Sequence, residues 1–204
     1  MNNQTIVFIG ISGAGKGTQA TLLKDYLKKN DDTKVHHIET GSLFRDFVQK
    51  ETYPAQLSKK ISQSGNLQPD FLAIWLWGKA ILENVEEEGE HLIIDGTPRR
   101  VSEAHMLLSA FDFLQRQNIT VIYLNVSKEE ALDRLKKRKR SDDLDFDVVM
   151  NRFSFFAKEV IPTLDVFKKK KNISFLDING EGTVEKIHDE IVMHLENGSK
   201  DNEE

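Results

Sequence analysis

The sequence predicts a doubly wound α/β fold, in which helices cover both faces of a five-stranded parallel sheet. Two observations support this prediction. Alternating strand-like and helical segments favour a doubly wound sheet. The strand-like segments are rich in Ile and Val, and several are almost unbroken apolar runs, as is typical of strands buried on both faces. They span residues 5–9, 35–38, 91–95, 119–126 and 173–178.

The helical segments are predicted from apolar residues that recur every three or four positions. Three such stripes are expected to face the core. The first is Ala20, Leu23 and Leu27, the second is Phe71, Ile74, Trp75 and Ala80, and the third is longer and runs from Phe146 to Leu164. Pro162 should interrupt the longer one. Trp75 and Trp77 cannot share one helix face, so one is predicted for the core and the other for a cleft or a place under the 40–69 segment.

Composition excludes several classes of protein. The 204 residues include no Cys, which rules out a disulfide scaffold, a thiolate metal site and a Cys nucleophile. A net charge of −5 argues against a nonspecific nucleic-acid binder. Apolar runs such as Ile6–Ile9 are too short for a bilayer, and the first residues lack a secretory pattern. We therefore expect a cytoplasmic protein with no membrane partner.

The most specific motif is Gly-Ile-Ser-Gly-Ala-Gly-Lys-Gly-Thr, residues 10–18, which follows the first strand and opens a helix. In such a turn, backbone N–H groups converge on phosphate oxygens and Lys16 reaches the outer phosphates. Gly17 stands where the general pattern has Ser or Thr, and Thr18 follows it. The alternative is an ordinary glycine-rich turn. The motif predicts a P-loop NTPase-type core.

Gly15-Lys16-Gly17-Thr18-Gln19 is the variant of this motif found in nucleoside monophosphate kinases, and the chain resembles the adenylate kinase family over almost its whole length. The further matching segments are 40–45, 65–70, 95–99, and the arginines from Arg134 to Arg152. The resemblance implies a P-loop core of residues 1–39, 70–135 and 146–196. It also implies a helical NMP-binding insertion (40–69), a short lid (136–145) and a flexible tail (197–204).

The resemblance implies reversible, Mg²⁺-dependent phosphoryl transfer from ATP to a nucleoside monophosphate, with AMP as the favoured acceptor and a monomeric enzyme. The acceptor phosphate is already largely ionised near neutral pH, so it needs no general base. The protein must instead offset repulsion between two phosphate tails. Arginine suits that task because its planar fork binds phosphate bidentately. Six of the eight arginines fall within the matching segments.

The resemblance also assigns roles to individual residues, all of them expectations at this point. Arg45 and Arg99 are expected to hold the acceptor phosphate, and Asp95 to orient magnesium-bound water. The set around the transferring phosphoryl group is Lys16, Arg138, Arg140 and Arg152. The set around ATP adds Gly13, Ala14, Gly15, Gly17, Thr18 and Arg134. The acceptor set adds Thr40, Leu67, Gly96 and Glu103, with Arg140 and Arg152 shared between the two sites.

Two departures from the family pattern bear on this assignment. Ser42 replaces an Asp, which weakens the case for two carboxylates around magnesium. Glu103 replaces a Gln that reads the acceptor base. An ionised carboxylate only accepts hydrogen bonds, which suits the two donors of guanine better than adenine. Guanine, or a Glu103 with a raised pKa, is therefore an open alternative, as is a Glu103 that faces solvent. Thr40 and Leu67 favour adenine.

The predicted lid is short. Only Lys139 separates Arg138 from Arg140, which resembles short-lid relatives, and without Cys no structural zinc is expected.

The nearest alternative enzyme accepts GMP, UMP or CMP. A nucleotide-binding regulator without turnover is the alternative of another class. A small GTPase is disfavoured because no Asn-Lys-x-Asp motif occurs. The basic run 136–140 favours a phosphate lid over nucleic acid because of its arginine spacing.

Overall fold

The sheet has the predicted architecture. The computed structural model describes residues 3–30, 32–138 and 145–200, with side chains as far as residue 197. Its five strands are all parallel and lie in the order β2-β3-β1-β4-β5. They are β1 (Thr5–Gly10), β2 (Val35–Glu39), β3 (His91–Asp95), β4 (Ile119–Asn125) and β5 (Ile173–Asn179). The predicted α/β fold is thereby confirmed.

Helices alternate with the strands along the chain, as predicted. They are α1 (Lys16–Asn30), α2 (Thr40–Phe47), α3 (Tyr53–Gln63), α4 (Asp70–Asn84), α5 (Val101–Phe113), α6 (Lys128–Arg138), α7 (Phe146–Phe155), α8 (Ile161–Lys168) and α9 (Val184–Lys200), with a π-helical turn at Phe156–Val160. Helices α2 and α3 occupy the segment expected to be an insertion. Among the described residues, no helix has the length and apolarity needed to cross a membrane.

Helices pack against both faces of the sheet because strand side chains alternate between them. Ile6 and Phe8 of β1 face one layer, and Val7 and Ile9 face the other. The first layer is made by α1, α6, α7 and α9, through side chains such as Leu23, Leu135, Phe153 and Ile191. The second is made by α4, α5 and α8, through Ile81, Phe111 and Phe167. The sheet is therefore covered on both sides, as its apolar strands require.

Helix α4 corrects one prediction. Phe71 and Trp75, expected in the core stripe, are 74% and 49% exposed. The buried face instead carries Leu72, Ala73, Leu76, Trp77 and Ile81. The cause is that α4 is apolar on nearly every side, so periodicity alone does not select the buried face. Trp77 is the core tryptophan, whereas Trp75 packs edge-on against Phe47 of α2, with ring centroids 6.3 Å apart.

The long third stripe is divided into separate segments, as expected from Pro162. Helix α7 ends at Phe155, a π-helical turn follows, and Pro162 lies in the first turn of α8. Proline is tolerated there because the first N–H groups of a helix have no intrahelical partner. The stripe itself was partly wrong, since Phe146 and Met150 are exposed. At the other end of the chain, α9 extends to Lys200, past the expected start of the tail at Asn197; residues 201–204 lie outside the described part.

A buried network closes the amino-terminal edge of the sheet. Arg116, one of the two arginines outside the segments that match the family pattern, is 4% exposed. Its guanidinium donates to Thr5 Oγ1 at 2.7 Å and to the carbonyl oxygens of Gln4 and Glu90 at 3.2 and 2.6 Å. The Gln4 N–H donates to His91 Nδ1 at 2.9 Å. These bonds tie β1 to the start of β3 and satisfy buried polar groups at the edge opposite the cleft.

Candidate active site

A cleft of about 240 Å³ opens at the carboxyl ends of the strands. Ligands of open α/β sheets bind at this edge. The cleft is bordered by the glycine-rich turn after β1, the loop after β3, helix α2 and the turn at Gly65. The lining residues that matter here are Gly13, Lys16, Glu39, Arg45, Leu67, Asp95, Gly96, Thr97, Arg99, Arg138 and Arg152.

The turn after β1 has a backbone that only glycine adopts easily. Gly13 and Gly15 have φ angles of +91° and +93°. A Cβ at Gly13 would lie 2.5 Å from the Ala131 carbonyl oxygen, so the turn also packs directly on α6. Lys16 folds back over the turn, where its Nζ donates to the carbonyl oxygens of Gly10 at 2.9 Å and Ile11 at 3.1 Å. The arrangement suits a bound phosphate chain.

Five predicted cationic residues line this one cleft although they come from distant parts of the chain. Lys16 lies on α1 and Arg45 on α2, whereas Arg99 follows β3. Arg138 ends α6 and Arg152 lies on α7. Arg140 lies outside the described residues. The cleft therefore concentrates positive charge beside the glycine-rich turn, which is what a polyphosphate ligand requires.

Burial and neighbouring cations both lower the pKa of Lys16. The pKa of Lys16 is lowered to about 8, mainly because burial desolvates the ammonium group; Asp95 opposes this shift, and the charges of Arg99 and Arg138 add to it. An anion bound beside Lys16 would relieve the repulsion among these groups. The cleft is thus electrostatically suited to phosphate.

We expect kcat/KM for ATP to fall about tenfold per pH unit above pH 8. The parameter reports the free enzyme, in which Lys16 loses its proton as the pH rises through a pKa of about 8. Below that pH Lys16 is charged and attracts phosphate; above it the amine is neutral. Initial rates at limiting ATP between pH 6.5 and 9.5 check this. A flat profile to pH 9.5 would contradict it, and a circular dichroism spectrum at each pH is the control for folding.

Asp95 ends β3 and is only 5% exposed. Its Oδ1 has no hydrogen-bond partner among the described residues, and Oδ2 lies 3.3 Å from where a Cβ on Gly17 would be. Burial raises the pKa of Asp95, although the charges of Lys16 and His37 oppose that shift. An unpartnered buried carboxylate oxygen beside the phosphate turn fits a hydrated cation. Among the described residues, no three Asp, Glu, His or Cys side chains are grouped so that they could hold a metal ion.

The sequence reasoning missed Glu39. This residue ends β2 directly opposite Asp95 in the strand register, and it lines the cleft. Its Oε1 lies 2.7 Å from Arg45 Nη2. Ser42, by contrast, lines a separate cavity with His36 and His37. The second carboxylate of the cleft is therefore Glu39, and its position immediately before Thr40 at a strand end was the available signal.

Glu103 is buried, so the alternative that it faces solvent is wrong. It is 3% exposed, and its Oε2 accepts a hydrogen bond from Thr97 Oγ1 at 2.7 Å. Burial raises the pKa of Glu103, against the opposing effects of the Thr97 hydrogen bond and Arg99. Thr97 lines the cleft, and Glu103 is bonded directly to its hydroxyl group. The two side chains form a buried polar pair on the side of the cleft where Thr97 lies.

The remaining predicted residues lie around the cleft without lining it. Arg134 is held by Glu130 Oε1 and the Gly180 carbonyl oxygen, both at 2.8 Å. Thr40 begins α2 and is 2% exposed, with its Cβ 3.8 Å from where a Cβ on Gly96 would be. The turn and first helical turn contain the others: Ala14, Gly15, Gly17 and Thr18.

Comparison with known proteins agrees with this geometry. The sequence model of the family described as adenylate kinase matches residues 8–172. An adenylate kinase from Mycobacterium sp. is 39% identical over 166 residues, which cover 80% of this chain and 85% of that protein. One from Oenococcus oeni is 31% identical over 182 residues, covering 89% and 93%. One from Leptospira biflexa is 32% identical over 194 residues, covering 93% and 98%.

Proposed function

The chain belongs to the adenylate kinase family, and from that premise we propose that it transfers the γ-phosphoryl group of Mg·ATP to AMP, reversibly, giving two ADP. The observation that carries the proposal is the convergence of five cationic side chains beside the phosphate turn. In this proposal residues 40–69 are the NMP-binding insertion and residues 136–145 are the lid. Residues 139–144 of the lid lie outside the described part of the chain. We also propose that the enzyme is cytoplasmic and monomeric.

The chemistry follows from charge. ATP carries about four negative charges and AMP about two, whereas Mg²⁺ offsets roughly two of them. Lys16, Arg138 and Arg152 would surround the transferring group, together with Arg140, and Arg45 and Arg99 would hold the acceptor phosphate. For Arg45 this means exchanging the Glu39 carboxylate, at 2.7 Å, for a phosphate oxygen. No general base is needed, because the acceptor oxygen is already ionised.

Asp95 is the residue we propose for magnesium, through water. The donor set fits, because a buried carboxylate oxygen without a hydrogen-bond partner among the described residues lies at the phosphate edge. When bound, magnesium would neutralise part of the charge of the phosphate groups. Asp95 would orient the water that magnesium carries. Lys16 Nζ, which uses two of its three donors for the Gly10 and Ile11 carbonyl oxygens, would contact the outer phosphate with the third.

The base of the acceptor is decided by the protonation of Glu103. A protonated carboxyl offers one donor and one acceptor, matching adenine N1 and N6, whereas a carboxylate offers only acceptors. Burial raises the pKa of Glu103, which shifts the side chain toward the protonated form that would match AMP. GMP is the second candidate, because Thr97 and Arg99 favour the ionised form that would accept from the two guanine donors.

A coupled assay with ATP and each of AMP, GMP, UMP and CMP tests the proposal. We expect turnover with AMP, and kcat/KM at least about a hundredfold lower with the other three. Glu103→Gln should keep AMP turnover within a fewfold of wild type, since an amide presents the same donor and acceptor as a protonated carboxyl. Turnover with GMP alone would contradict AMP as the acceptor. No product with any acceptor would favour a nucleotide-binding regulator.

A further inference from the structure

Helix α7 and the Gly65 turn of the 40–69 insertion are in direct contact across the cleft. The Asn151 side-chain amide donates to the Ser64 carbonyl oxygen at 2.9 Å and to Asn66 Oδ1 at 3.0 Å. Asn66 in turn donates to Ser64 Oγ at 2.8 Å. The contact joins residues more than eighty positions apart in the chain.

The backbone at Gly65 is built for this contact. Its φ is +71°, and a Cβ there would lie 2.7 Å from the carbonyl oxygen of Val148 and 3.1 Å from its Cα. Only a residue without a side chain allows the turn and α7 to approach so closely. The two hydrogen bonds of Asn151 therefore fasten surfaces that already fit each other.

The two fastened segments each carry a residue that lines the cleft. Leu67 follows Asn66 directly and lies on the insertion side, whereas Arg152 follows Asn151 on α7. The insertion end of the contact is itself anchored, because Gln68 Nε2 donates to the Ser58 carbonyl oxygen at 2.9 Å and Ser62 Oγ at 2.8 Å. A shift of either segment would thus change the distance between Leu67 and Arg152.

We propose that Asn151 is a positioning residue, which holds the Gly65 turn against α7 and so sets the spacing of Leu67 and Arg152 around the acceptor nucleotide. The role of the acceptor rests on the proposed function, but the mechanical role of Asn151 does not. Asn151 touches neither substrate in this proposal. It acts through the two segments that it joins.

Asn151→Asp is the sharpest test. The substitution keeps the shape of the side chain but replaces the amide donor with an acceptor, which then faces two acceptors, the Ser64 carbonyl and Asn66 Oδ1. We expect KM for AMP to rise about tenfold while KM for ATP stays within about twofold. In the ligand-free protein, amide hydrogen exchange of residues 62–68 should accelerate at least severalfold. Gly65→Ala should have the same two effects, because its methyl group would collide with Val148.

Ser154→Ala is the matched control, because Ser154 is exposed on the same helix; it should leave both readouts unchanged. Unchanged exchange over 62–68 together with an unchanged KM for AMP in Asn151→Asp would overturn the proposal. Equal increases in both KM values, with a lower Tm, would also overturn it by showing a merely structural role. If the wild-type chain transfers no phosphoryl group, the proposed function fails, and hydrogen exchange alone then decides whether Asn151 holds the turn.

Discussion

Replacing Arg99 by lysine is expected to lower kcat by about a thousandfold or more while the protein stays folded. Arg99 Nε donates to the Gly96 carbonyl oxygen at 3.0 Å, which anchors the guanidinium in the cleft and leaves its terminal N–H groups for phosphate oxygens. Lysine keeps the charge, but it lacks the planar set of N–H donors that binds phosphate bidentately and the Nε–H that bonds to the Gly96 carbonyl oxygen. Steady-state kcat at saturating ATP and AMP, with a thermal melt of the same sample, measures both parts of the expectation.

The neighbouring Arg100 provides a matched control. Its Nη1 binds Asp70 and the Gln68 carbonyl oxygen, and it is not among the residues that line the cleft. Arg100→Lys makes the same chemical change one position away, so its kcat should remain within about threefold of wild type. Wild-type kcat in Arg99→Lys would remove Arg99 from the phosphate site. An equal loss in both variants would assign the effect to the loop and not to phosphate binding.

Gly13→Ala is expected to weaken ATP binding more than tenfold and to destabilise the fold. The φ of +91° alone costs a non-glycine residue of order 1–3 kcal/mol. The added methyl group would also lie 2.5 Å from the Ala131 carbonyl oxygen and 3.1 Å from Leu135 Cγ, so the turn or α6 must move. Either movement displaces the N–H groups that would hold phosphate. Calorimetric titration with Mg·ATP measures the Kd, and a thermal melt measures the stability.

Gly78→Ala separates this effect from a general intolerance of alanine. Gly78 lies within α4, and a Cβ there would meet no atom within 4 Å. Alanine in an open helical position should stabilise the protein by about 0.5–1 kcal/mol, since glycine is the poorer helix former. ATP affinity should not change. A Gly13→Ala protein with wild-type Tm and Kd would show that the turn does not need its left-handed backbone.

The sequence predicts the sheet and the phosphate turn well because both are local patterns. The apolar strand β1, the glycine-rich turn after it and Lys16 are consecutive in the chain, so this part of the site is predicted without any knowledge of tertiary contacts. The arginines were located by resemblance rather than by physics, because no local pattern tells a surface arginine from one that lines a cleft. Arg116 illustrates the difficulty: it is a fully structural arginine, 4% exposed, at the far edge of the sheet.

Features that depend on distant contacts were missed or misplaced. The buried face of α4 was wrong at Trp75, since a helix apolar on every side needs its neighbours to select a face. Glu39 was overlooked because its pairing with Arg45 follows from the packing of α2, not from a motif. Glu103 was left open between base and solvent, and its bond to Thr97 decides against solvent. The Asn151 contact spans two segments whose sequences carry no common signal.

The hydrogen bonds of Arg116 at the amino-terminal edge have a consequence for how such a protein diversifies. They brace the ends of β1 and β3 on the side of the molecule away from Thr97 and Glu103. The Arg116 network is therefore separate from Thr97 and Glu103, the residues proposed to select the acceptor base. Substitutions of Thr97 or Glu103 that change the proposed acceptor preference would leave the Arg116 hydrogen bonds in place, so acceptor preference would diversify independently of this part of the scaffold.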